Sequence, residues 1–234
     1  MNSHNRVQVK WFLVAALCIG ASFLYAPIAT AGGKPGYYVA LRSIGGISSM
    51  EDVSTKGFSN TLNLQNDSDE VAGLGGVIGY KWKNLPLHTE IEVTHRFRFD
   101  FDTRDDGVAD DDTGYEANVD TTAVLFNLAY EIRLDGNFTP YIGGTIGWSY
   151  NTANTERRVI NTGVETKKKT MIGNAAWGGM AGVVWDFSES WAADFAYRYI
   201  NLGEVDIGIF PGGDNVTADD YISHDLVVSL LHRF

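Results

Sequence analysis

Apolar and polar residues alternate with a period of two along most of the chain after residue 35, the pattern of strands that present one face to each side of a sheet. Residues 87–101 carry it most fully. Leu87, Thr89, Ile91, Val93, His95, Phe97, Phe99 and Phe101 take one face; His88, Glu90, Glu92, Thr94, Arg96, Arg98 and Asp100 take the other. Trp191, Ala193, Phe195, Tyr197 and Tyr199 repeat the alternation opposite Asp194 and Arg198, and Leu226, Val228, Leu230, His232 and Phe234 do so opposite Asp225, Ser229 and Arg233. Further strands are expected at 36–44, 71–82, 118–131, 139–150 and 171–187. That makes eight, with no amphipathic helix among them.

The connecting segments alternate in length. Those at 45–70, 102–117, 151–170 and 203–219 are long and polar. Those at 83–86, 132–138 and 188–190 are short and hold turn formers such as Asn84, Pro86, Asp135, Gly136, Asn137 and Ser188. Long loops at one end, tight turns at the other and an even strand number are the plan of an up-and-down meander closed into a barrel. The expected fold is all-β, an eight-stranded antiparallel transmembrane β-barrel with both chain ends on the short-turn side.

Alternation alone does not separate a membrane barrel, apolar outside, from a soluble carrier, apolar inside. Trp82, Trp148, Trp177, Trp185 and Trp191 all fall on the apolar register, most of them near strand ends, as membrane interfaces select. The opposite register holds Gly73, Gly75, Gly79, Gly143, Gly147, Gly178 and Gly182, which suit the narrow interior of eight strands. Turning the 87–101 strand the other way would put Arg96 and Arg98 into lipid, at about 2–4 kcal/mol each near the midplane. The charged register therefore faces in.

Composition sharpens this picture at the N-terminus. Arg6 and Lys10 precede an apolar stretch from Trp11 to Tyr25, and Ala29-Thr30-Ala31 places small side chains where a signal peptidase reads. Residues 1–31 are expected to be a cleaved secretory signal, with cleavage specified by Ala29 and Ala31, and residues 32–234 the barrel domain. Cleavage removes two basic residues and no acidic one, leaving 16 basic against 29 acidic and a net charge of −13. Such a chain lacks the basic face that nucleic-acid binding needs. The signal also carries the single Cys, Cys18, so disulfides and thiolate chemistry leave with it. A secreted carrier of this size would ordinarily use disulfides.

Several short motifs resemble the small opacity-type, OmpA-like outer-membrane barrels of the porin-like superfamily: Gly36-Tyr37-Tyr38-Val39-Ala40-Leu41-Arg42, Gly75-Gly76-Val77-Ile78-Gly79-Tyr80, Pro140-Tyr141-Ile142-Gly143-Gly144, Trp177-Gly178-Gly179-Met180-Ala181-Gly182-Val183 and Tyr197-Arg198-Tyr199. The resemblance covers nearly all of 34–234. Terminal Phe234, preceded by Val228 and Leu230 at alternate positions, is similar to the signal read by the outer-membrane assembly machinery. The resemblance implies a Gram-negative outer-membrane protein. It names no single activity, since such proteins serve as envelope stabilisers, adhesins, antigens or narrow pores. The peptidoglycan-binding domain of the full-length OmpA type is not expected.

Candidate chemistry is sparse. Ser223-His224-Asp225 has triad letters, but consecutive strand residues point to opposite faces, so His224 faces away from both neighbours. His88 and Glu90 share a face without a nucleophile beside them. The lumen set is Arg42, Glu90, Glu92, Arg96, Arg98, Glu131, Asp186, Asp194 and Arg198, read either as a polar pore or as a salt-bridge network that plugs the barrel, the plug being preferred. The acidic run 100–120 begins like a calcium loop, but Arg104 and Thr113 occupy ligand positions, which leaves a solvated loop. Arg157, Arg158, Lys167, Lys168 and Lys169 either pair with lipopolysaccharide phosphates or keep their loop soluble. The expectation is a monomeric surface protein without catalysis, cofactor or metal, in contact with outer-membrane lipid and with ligands met by four extracellular loops. The alternative is a narrow channel for ions or small solutes.

Overall fold

A computed structural model of the chain describes residues 35–56, 62–66, 68–105, 113–159, 162–210 and 215–234. The expected signal, with Ala29 and Ala31, and the centre of the acidic run lie outside these residues. Ten strands follow in chain order: β1 (Gly36–Lys56), β2 (Leu62–Asn66), β3 (Ser68–Lys81), β4 (Leu87–Asp105), β5 (Thr113–Glu131), β6 (Phe138–Val159), β7 (Glu165–Asp186), β8 (Trp191–Asn201), β9 (Val205–Asp206) and β10 (Asn215–Arg233). Eight of them form the antiparallel meander β1-β3-β4-β5-β6-β7-β8-β10, and β1 pairs with β10 to close the ring. The closing seam runs from Tyr38↔Arg233 to Lys56↔Asn215. β2 pairs with the far end of β4, and β9 with β10.

At belt level, closure satisfies the backbone of all eight meander strands inside the sheet, which an apolar surrounding demands. Val39, Leu41, Ile78, Ile91, Phe126, Leu128, Ile142, Ile146, Phe195 and Leu226 face outward in a continuous belt. Tyr37, Trp82, Tyr130, Phe138, Trp191 and Phe234 edge the belt at the short-turn end, and Trp148, Tyr150, Trp177 and Tyr197 edge it at the other. Phe187 leaves this row and is buried. Inward glycines make room for the larger inward side chains. A Cβ on Gly79 would stand 2.1 Å from Cζ of Tyr38.

Beyond the belt the structure departs from expectation. The segments expected as long loops are mostly strand: β1 reaches Lys56, β4 reaches Asp105, β5 starts at Thr113, β6 reaches Val159, β7 starts at Glu165 and β10 at Asn215. There the burial pattern is inverted. Tyr115, Ala117 and Val119 point inward and are buried, while Glu116, Asn118 and Asp120 point outward. Outside the belt the strands meet water, so polar residues face out and the apolar ones gather within. Met50, Phe99, Tyr115, Val119, Leu125, Ile200, Val216 and Tyr221 belong to this core.

Three neighbouring strand segments also crease at one level. Inward positions are spaced by three residues, not two, from Met50 to Val53, from Ala218 to Tyr221 and from Leu202 to Val205. These steps lie side by side: Met50↔Tyr221 and Val53↔Ala218 pair in β1–β10, Val205↔Ala218 pairs in β9–β10, and the Leu202 N–H donates to the Tyr221 carbonyl at 2.7 Å. A step of three reverses the face. Positive φ at Asp52 (51°) and Gly203 (75°) turns the backbone there. Across the interior, the rings of Phe99 on β4 and Tyr221 on β10 stand 5.3 Å apart, and those of Tyr115 on β5 and Phe210 in the segment after β9 stand 5.6 Å apart.

Candidate functional site: a charged lumen beneath an apolar head

The barrel interior has two storeys. At belt level, β1, β4, β8 and β10 bring three guanidinium groups and four carboxylates together, all buried. Arg42 reaches Glu92 at 2.5 Å, Glu90 at 3.2 Å and Asp194 at 3.6 Å. Arg198 bridges Glu92 at 2.9 Å and Asp225 at 3.2 Å. Arg96 clasps Asp225 with both terminal nitrogens, Nη1 at 2.9 Å from Oδ1 and Nη2 on Oδ2. Neutral groups add further hydrogen bonds: Tyr38 donates to Glu90 at 2.9 Å, Tyr141 donates to Asp194 at 2.9 Å, and the Asn127 amide donates to both Glu90 and Glu92. Buried charges held in this way keep their Coulombic gain against a large desolvation cost.

Nearer the short-turn end, Glu131 takes Lys81 at 2.9 Å and His88 Nδ1 at 3.0 Å, and Arg233 pairs with Asp186. A cavity of about 20 Å³ lies among Tyr38, Lys81, His88, Glu131 and Arg233. That is room for about one water.

The second storey is the apolar head, entered by the segment that follows β8. Leu202, Val205, Ile207 and Phe210 are buried in it. Inner side chains of β6 and β7 hold the segment by its carbonyls: Ser149 Oγ donates to Leu202 at 2.5 Å, Asn151 Nδ2 donates to Leu202 and Glu204 at 2.9 Å each, Asn174 donates to Glu204 at 2.8 Å and Lys168 Nζ donates to Ile209 at 2.6 Å. Residues 203–210, expected as part of a loop, are thus held inside the head by inward side chains of β6 and β7.

Of the lumen set expected from sequence, Arg42, Glu90, Glu92, Arg96, Asp194 and Arg198 lie in the central cluster, and Glu131 and Asp186 lie near the short-turn end. Arg98 does not face the lumen. A β-bulge between Arg96 and Phe99 sets both Phe97 and Arg98 outward, with φ of Arg98 at 32°. Its side chain is 54% exposed and pairs with Asp100 at 2.7 Å, while Phe99 takes the inward place at 0% exposure. Asp225, Lys81 and Arg233 belong inside and were not in the expected set. The polar register of β10 already held Asp225 and Arg233, so strict alternation would have found them.

Val228 and Phe234 are exposed on the outer face of β10, and Leu230, on the same register, is half-buried. Ser223 and Asp225 face the lumen, where Ser223 Oγ donates to Asp225 at 2.6 Å; His224 faces outward beside Tyr197. The basic residues of the β6–β7 hairpin are mostly engaged. Lys167 pairs with Glu156 at 2.8 Å, Arg158 lies 4.0 Å from Glu165, Arg157 donates to Tyr115 at 3.3 Å and Lys168 turns inward. Lys167 holds the Glu156 carboxyl below the usual carboxylate range, and Glu156 raises Lys167 in turn. Among the described residues, no group of three or more His, Cys, Asp or Glu is arranged to hold a metal.

A closed antiparallel ring with an apolar belt between two aromatic rows and charges within defines a transmembrane barrel of the bacterial outer membrane. Residues 14–234 match the model of the outer membrane protein beta-barrel domain family, and the chain belongs to that family. It is similar to outer membrane protein PagN of Salmonella typhimurium, with 26% identity over 240 residues that cover 94% of this chain and 98% of PagN. Among solved structures it is similar in fold to OprG from Pseudomonas aeruginosa, with a TM-score of 0.51 and 14% identity over 87% of this chain and 99% of that one. Ail, the attachment invasion locus protein of Yersinia pestis, gives a TM-score of 0.45 at 12% identity, covering 86% of this chain and 100% of that one. The protein resides in the outer membrane.

Proposed function

We propose that the protein is a structural and interaction protein of the cell surface, working through its extracellular head and not through its lumen. One observation carries this reading: the interior is filled twice, by the guanidinium–carboxylate cluster at belt level and by residues 202–210 above it. A solute path needs continuous width, and paired arginine side chains in so narrow a barrel consume it. The same sealing speaks against catalysis, since Ser223 and Asp225 sit inside with Arg96 while His224 points away. The head, with the loop tips it carries, is the part left to meet ligands. We further propose processing after Ala31, a monomer in lipid and lipopolysaccharide, and recognition of Val228, Leu230 and Phe234 by the assembly machinery. Single-channel recording of the refolded residues 32–234 in a planar bilayer tests the reading. Silence is expected; steady openings above the bilayer background would overturn it in favour of a narrow channel.

A further inference from the structure

β8 ends at Asn201, whereas β7 beside it continues outward to Glu165. Their pairing stops at Trp177↔Asn201, while β7 stays paired with β6 up to Arg158↔Glu165. Among the described residues, 165–176 therefore have a neighbour on one side only. Residues 202–210, which follow β8, do not fill the vacant side. They pass beneath β6 and β7, bonded to the inward side chains of Ser149, Asn151, Lys168 and Asn174, and their backbone pairs with β10. Among the described residues, no backbone hydrogen bond joins residues 165–176 to them. The result is an edge about 40 Å long at a strand's rise per residue; its outer part, residues 165–172, lies beyond the aromatic row member Tyr150, which pairs with Gly173, and so in water.

An open edge accepts an added strand through its free N–H and C=O groups. Charge selects the guest. The edge reads Thr166-Lys167-Lys168-Lys169-Thr170-Met171. Among the described residues Lys169 has no ion pair or hydrogen bond, and Met171 beyond it is 70% exposed. Two copies in one membrane carry β7 in the same direction, so pairing edge to edge would set their lysine runs side by side. Such lysines repel a second copy or a basic strand and leave acidic strands favoured.

We infer that residues 165–176 of β7 are an acceptor edge for an extended acidic peptide, added as a β-strand beside β7. The guest places carboxylates at alternate positions toward Lys167 and Lys169 and bonds the edge through its backbone. This rests on the reading of the head as the interaction surface, and names the class of partner.

The test uses residues 32–234 refolded in lipid nanodiscs and three fluorescein-labelled eight-residue peptides: alternating Glu and Thr, the same peptide N-methylated at alternate residues, and alternating Lys and Thr. Anisotropy should give saturable binding of the Glu/Thr peptide, at least tenfold weaker binding of the N-methylated one and none of the Lys/Thr one. Amide exchange followed by NMR should gain protection at alternate residues within 166–175. Lys169→Glu, with heat-modifiable migration unchanged, should weaken the Glu/Thr peptide severalfold. Equal binding of the N-methylated peptide, binding without amide protection, or no binding at all overturns the inference. Attachment of expressing cells to host-cell monolayers scores the surface role separately. Attachment without peptide pairing removes the acceptor edge alone; pairing without attachment keeps the edge and counts against adhesion.

Discussion

Asp225 receives two guanidinium groups, Arg96 and Arg198, together with the Ser223 hydroxyl. Removing its charge leaves two buried cations short of a partner, a change that costs about 3–5 kcal/mol when one member of a buried pair is lost. Asp225→Asn should lower unfolding stability by that order, read as the urea midpoint of the barrel in lipid vesicles. Arg98→Ser should move the same midpoint by less than about 1 kcal/mol, because its pair with Asp100 is exposed and screened. A comparable loss in both variants would mean that burial does not set the strength of these pairs. The two arginines, two residues apart, looked equivalent in sequence. The extra residue of a bulge is invisible in an alternation that runs on through Phe101, and it appears only when β4 is laid against β5.

For the elements, the faces of the membrane-level strands were legible because lipid on one side and a crowded lumen on the other demand opposite side chains at every step. Their outer continuations lie in segments whose polar composition points to loops. Glu116 falls in the segment 102–117 expected as a polar loop, although Tyr115 and Ala117 beside it and Val119 beyond keep the period of two. The medium had changed, not the periodicity. The crease was hidden for another reason, since one odd step per strand has no meaning until three strands place theirs together. Gly203 carries that step after β8. A Cβ there would stand 2.4 Å from the Asn174 Cβ, on a backbone whose φ of 75° already disfavours one. Gly203→Val should loosen residues 202–210 by roughly 1–3 kcal/mol. Limited proteolysis should then cut within 202–210 while the belt-level barrel keeps its heat-modifiable migration; an uncut head would remove the argument.

In the whole molecule the proposed plugged lumen makes the two storeys seals in series, so opening one should leave the other shut. Arg96→Ser with Arg198→Ser should stay silent in a planar bilayer, and so should replacement of residues 203–210 by a short Gly-Ser link. Only the combination should conduct. Conductance from the double Ser variant alone would mean that residues 203–210 do not seal. Deleting Phe234 acts on the same scale. The aromatic row of the short-turn end loses a member that is 79% exposed, and the proposed assembly signal loses its last residue. Outer-membrane yield should fall, and an unchanged yield would count against its use by the assembly machinery.

The sequence by itself determined which residues form the ring at belt level, which face meets lipid and that the lumen is charged, because each follows from a period of two read against a single medium. Tertiary structure alone decided which carboxylate each arginine meets, how the chain after β8 turns inward, and that the far half of β7 keeps an open edge. Those outcomes depend on strands distant in sequence coming into register as the ring closes, and local periodicity carries no record of that register.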